Sequence, residues 1–164
     1  MELDRRLSKA KTALILDHPF FGNLAMNMPQ IITDAVPTAA TNGKHILYNP
    51  DFCKGLNNDN LVFLIAHEVM HPALDHITRV GERDPERWNY AGDTVINPML
   101  VDEGIGAFID GGVMDRDLLN KVVALLMVST TCCHHNPMEE VAMVTRVKVN
   151  PLMNFNLMRV HLLR

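Results

Sequence analysis

Three features of the sequence predict an α+β fold, with a short mixed or antiparallel sheet packed on helices. Two long segments, about 59–75 and 85–103, carry apolar residues at helical spacing, and a third such pattern opens the chain. Between the first helix and the second, short extended stretches flank Asn42-Gly43, a strong hairpin-turn signal. Strands this short make only a small sheet, whose apolar face must be covered by helices.

Leu3, Leu7, Ala10 and Leu14 share one helical face, so residues 3–17 form an amphipathic helix that His18-Pro19 stops. Phe20 to Met26 is expected as a short strand. Lys44 to Tyr48 is expected as another, closed by Asn49-Pro50; if it forms a sheet edge beside the cleft, a peptide could add to it as a strand. Asn57-Asn58-Asp59 supplies N-cap oxygens for the second helix, residues 59–75. That helix is apolar nearly all round, from Leu61 to Leu74, and a helix of this kind is buried. Pro72 removes the amide bond back to Glu68, so a bend or an early end is expected there. Asp84-Pro85, a cap followed by proline, starts the third helix. Its apolar stripe runs Trp88, Ala91, Gly92, Val95, Ile96, Met99 and Leu100, Gly104 caps its end, and a glycine-rich loop follows to Gly112. Leu118–Val128 is expected as a helix and Val141–Val149 as a strand.

Composition narrows the function. The chain is 48% apolar and 21% charged, an ordinary globular balance, with a net charge of −4. An acidic balance argues against nucleic acid or an anionic membrane surface as the main partner. The longest apolar runs, Leu61–Ala66 and Val122–Val128, fall far short of the roughly 20 residues a membrane helix needs. Three cysteines, Cys53, Cys132 and Cys133, suit no disulfide framework and point to a reducing compartment, the cytoplasm. Cys132-Cys133-His134-His135 makes a poor metal site, because adjacent ligands rarely close a tetrahedron.

The chemistry lies in the second helix, at His67-Glu68-Val69-Met70-His71. Residues i and i+4 stand one above the other, so both imidazoles face the same way. Together they supply half of a tetrahedral zinc site. Glu68 stands beside that position, placed to take a proton from water rather than to bind the metal. In an apolar helix each unpaired polar group costs on the order of 1–3 kcal/mol, so something must satisfy these three.

The run Ile65 to His76, followed by Trp88-Asn89 and Ala91-Gly92-Asp93-Thr94-Val95-Ile96-Asn97, resembles a metallopeptidase domain of bacterial and phage proteins. In that family the domain carries HExxH and usually precedes a von Willebrand factor A-like domain. Leu7 to Ala10 and Asn42 to Phe52 are similar to it as well. The resemblance covers about residues 5–112 and implies a zincin-like fold and a zinc cofactor. It places a metallopeptidase domain at 1–113 and a divergent tail at 114–164, too short for the A-like domain.

Two histidines need a third ligand. Asp93, 22 residues after His71 on the flank of the next helix's stripe, resembles the carboxylate ligand that some zincins carry on a second helix. Asn97, one turn later, would then hydrogen-bond it. The alternative is His76. On a continuing helix it points about 140° from His71, and no glycine stands between them to make a turn. Without a metal, Asp93 reads as a surface acid near Arg87 and His76 as an exposed helix-end residue.

The expected function is zinc-dependent hydrolysis of a peptide or protein substrate, with Glu68 as general base. Tyr48, Tyr90, Arg79 and whichever of His76 and Asp93 is not a ligand lie nearby in sequence, and a basic or donor group among them is the candidate for stabilising the oxyanion. The competing expectation is a catalytically silent, metal-stabilised assembly module. The resemblance implies that it would work with an A-like domain protein or an AAA+ ATPase of the MoxR type.

Overall fold

The computed structural model describes residues 2–121. Two helices form an N-terminal hairpin, α1 (Glu2–Asp17) and α2 (Pro19–Met26). Three short strands follow, β1 (Gln30–Ile32), β2 (Ala39–Thr41) and β3 (Ile46–Tyr48), then a short helix, α3 (Pro50–Lys54). The long helix α4 (Asn58–Ala73), the one-turn α5 (His76–Arg79) and α6 (Pro85–Asp102) complete the body, and residues 116–121 are again helical. The fold is α+β, as the sequence predicts. No helix among the described residues is long and apolar enough to cross a membrane. The expected strand at Val141–Val149, most of the expected helix at Leu118–Val128, and Cys132 to His135 lie outside the described residues.

The first helix buries Leu7, Ala10 and Leu14, the face its spacing defines. Phe20 to Met26 is not a strand but lies in α2, with Pro19 in its first turn. Helical packing against α1 decides the conformation of this short segment. Gly22 lets the two helices close: a Cβ on it would lie 2.5 Å from the Ile15 Cα. Asn42 Oδ1 accepts from the amides of Lys44 and His45, and Gly43 takes φ +80°, so the Asn-Gly turn forms as predicted. It joins β2 to β3 in antiparallel register, with Ala39 opposite Tyr48. On its other side β3 pairs in parallel with β1, Gln30 opposite Ile46. The strand order β1-β3-β2 therefore puts β3 in the middle, so the condition for a peptide to add to it as an edge strand is not met.

Helix α4 is the centre of the core. Every residue from Leu61 to His71 is buried. Asn57 and Asn60 cap its start reciprocally, and the helix ends at Ala73, one residue after Pro72. Asp84 accepts from the Arg87 amide at the start of α6. Beyond α6, Gly104 takes φ +66°. The loop then returns over α4, burying Ile105 and Ile109 while Asn60 Nδ2 donates to the carbonyls of Ala107 and Phe108.

Candidate metal centre

Helix α4 sets His67 and His71 one turn apart on the face that meets α6, with Nε2 atoms 3.1 Å apart. Opposite them α6 supplies Asp93, whose Oδ1 lies 3.4 Å from His67 Nε2 and 3.3 Å from His71 Nε2. Among the described residues these form the group of His, Cys, Asp and Glu side chains able to hold a metal ion, their donor atoms all within 4.8 Å of one another. His67 and His71 are fully buried, and Glu68 and Asp93 are each 1% exposed.

The buried face of α6 explains how Asp93 gets there. Asn89, Gly92, Asp93, Ile96, Asn97 and Leu100 point inward, whereas Trp88, Ala91, Val95 and Met99 are only partly buried. The helix is thus turned so that a polar line, Asn89-Asp93-Asn97, faces α4. Asp93, on the flank of the apolar stripe, is thereby buried against His67 and His71 and is not a surface acid.

Each member of the cluster has a partner behind it. Asn97 Oδ1 accepts from His67 Nδ1 at 2.7 Å, while Asn97 Nδ2 donates to the Val113 carbonyl at 2.8 Å. The expectation that Asn97 serves Asp93 is therefore corrected, because one helical turn carries its amide over His67. Asn89 serves Asp93 instead, its Nδ2 donating to Oδ2 at 3.2 Å. The sequence reading missed Asn89; an amide four residues before Asp93 on the same helix was the available signal. His71 Nδ1 lies 3.3 Å from His76 Nδ1. His76 reaches that place because Asp75, with φ +58°, makes the left-handed turn expected to need a glycine. It thus approaches His71 from behind rather than joining the group that Asp93 completes.

The electrostatics follow from burial and charge. Burial disfavours the charged form of His67, but Asp93 and other acceptors outweigh it and hold its pKa at about 9. Burial likewise opposes ionisation of Asp93, yet His67 and His71 bring its pKa down to about 2. Burial keeps His71 below the ordinary histidine range. It raises Glu68 to about 7, with the charge of His67 opposing and that of Asp93 adding. Glu68 in turn adds to the effect of burial in raising the pKa of Tyr48, on the central strand. Tyr48 is buried and accepts from Gln30 Nε2, Tyr90 is half-buried, and exposed Arg79 donates to the Leu74 carbonyl.

A metal fits the donor set. Zinc–nitrogen bonds of about 2.0–2.1 Å imply tetrahedral edges of about 3.3–3.4 Å, close to the three separations here. Asn89 Oδ1 is buried without a hydrogen-bond partner, and so are two carboxylate oxygens at the cluster: Glu68 Oε2, and Asp93 Oδ1 beyond its ion-pair approach to His67 and His71. Native proteins rarely leave such atoms unsatisfied, and a cation with its water satisfies both carboxylates.

A family model described as "Putative metallopeptidase domain" matches residues 2–128. Comparison with curated proteins and with solved structures gives no match. The matched span takes in α4, α6 and the whole buried cluster, and the chain belongs to this putative metallopeptidase domain family.

Proposed function

We propose that the protein is a zinc-dependent metallopeptidase with a zincin-like active site, in which His67, His71 and Asp93 hold the metal and Glu68 is the general base. The observation that carries this reading is the buried, unpartnered Glu68 Oε2 beside a converging His/His/Asp set. A purely structural site has no use for a carboxylate there. A zinc ion in this donor set supplies Lewis acidity and brings the pKa of water it binds to about 7. Glu68 accepts the proton of the attacking water and delivers it to the leaving amine. Asn97, Asn89 and the backbone of α4 and α6 keep the donors in place while this happens. A peptide or protein is the substrate. Residues 1–113 are the catalytic domain of this reading, and the cytoplasm its compartment.

A second reading is favoured by the burial of all four groups, which suits a closed structural site. In it the metal only stabilises an assembly module for an A-like domain protein or a MoxR-type ATPase. One experiment separates the two. Purified protein is expected to carry about one zinc per chain and to cleave an unfolded protein substrate, both abolished by a chelator. Zinc without cleavage supports the module, and a folded chain without metal defeats both readings.

The charge state of the metal-free cluster makes a further prediction. With a pKa of about 9, His67 carries a proton at neutral pH that a metal must expel. Zinc uptake at pH 7 should release about one proton from this residue, and apparent affinity should rise about tenfold per pH unit up to about 9. Calorimetry in two buffers of different ionisation heat measures the release; none would mean that His67 is neutral before binding.

A further inference from the structure

A histidine ligand works through one ring nitrogen, and what the other nitrogen meets sets its tautomer and its aim. For His67 the second nitrogen meets the Asn97 amide oxygen. For His71 it meets a second imidazole, with Nδ1 of His76 3.3 Å away and the rings edge to face at 5.3 Å between centroids. Three features hold His76 there. Asp75 turns the chain back through a left-handed conformation. Trp88 Nε1 donates to the His76 carbonyl at 2.7 Å. Gly92 leaves a notch on α6 for the ring, since a Cβ there would lie 2.7 Å from His76 Nδ1.

We infer that His76 is a positioning residue: its Nδ1 accepts the Nδ1–H of His71, leaving the His71 Nε2 lone pair directed at the metal. The inference rests on the metal reading above and adds a second imidazole to it. It also gives the left-handed Asp75 and the bare Gly92 a common purpose, to bring one ring behind another.

Cobalt(II) titration, followed by its visible absorption, tests this on the full chain. His76→Phe keeps the ring's bulk and removes the acceptor; it should weaken cobalt binding about 10–100-fold and alter the spectrum. His76→Gln restores an acceptor and should recover most of the affinity. Gly92→Ala provides an independent route. The added Cβ pushes the His76 ring off His71 and should weaken cobalt binding, while alanine's helix preference offsets part of the cost of moving the ring and a melting curve checks that the variant is folded. Long-range proton–nitrogen correlations should show His71 protonated at Nδ1 in the zinc-loaded wild type. If His76→Phe and Gly92→Ala bind cobalt as tightly as wild type, with an unchanged spectrum, the inference is overturned and the metal site stands. If wild type itself binds no cobalt, the metal reading fails and this inference with it.

Discussion

Glu68→Gln is expected to lower peptide-bond hydrolysis by at least about 10²–10⁴-fold, the usual worth of a general base, while zinc content stays at the wild-type level. Glutamine keeps the shape of glutamate but cannot take a proton. The side chain is buried beside the cluster, and its pKa of about 7 in the metal-free protein suits a base working near neutral pH. Glutamine is also neutral, so it avoids burying a second negative charge near Asp93. The metal-free variant should therefore melt no lower than wild type. Turnover of an unfolded protein substrate, zinc by mass spectrometry and a melting curve together make the test. Undiminished turnover in a zinc-loaded Glu68→Gln protein would remove Glu68 from the mechanism.

Asp93→Asn should have the largest effect on the fold. On the proposed reading it removes a metal ligand, so zinc should be lost. It also strips the metal-free protein of the charge that partners protonated His67. Breaking a buried ion pair by removing one member costs about 3–5 kcal/mol. Denaturant unfolding in the presence of chelator measures that loss, which should depend on pH. Asp93, depressed to about 2, contributes stability above its unfolded value near 4, lost as pH falls through about 2. His67, raised to about 9, contributes stability that is complete below its unfolded value near 6.5 and lost as pH rises through about 9. The penalty of Asp93→Asn should thus be greatest between about pH 4 and 6.5 and shrink toward pH 9. A penalty independent of pH across that range would mean that Asp93 and His67 are not an ion pair without metal.

The helices were legible because each carried its own evidence. The apolar run from Leu61, the Asn57 cap and the Asp84-Pro85 start are local features, and α4 and α6 begin and end close to where those features say. The Asn42-Gly43 turn was legible for the same reason. Phe20 to Met26 was misread because eight residues of α2 are too few to show a period, and packing against α1 settles their conformation. The place of β3 was hidden because β1 and β2, its partners, are three residues each. Hydrogen bonds between strands are not written in any one strand.

By itself the sequence determined that this protein has an α+β fold and that a buried helix carries His67, Glu68 and His71 on adjoining faces. Helical periodicity and the cost of burying polar groups suffice for that. The rotation of α6 was a tertiary decision. Apolar periodicity pointed the stripe Trp88-Ala91-Gly92-Val95-Ile96-Met99-Leu100 inward, and Gly92, Ile96 and Leu100 are buried while the other four are only partly so. The structure buries Asn89, Asp93 and Asn97 beside them, because polar groups are accepted in a core once others there complement them. Tertiary structure also decided that His76 stands behind His71, through a single left-handed residue and a glycine notch on a different helix. Spacing along one chain orders side chains on one helix; only the packing of two helices decides which of them meet.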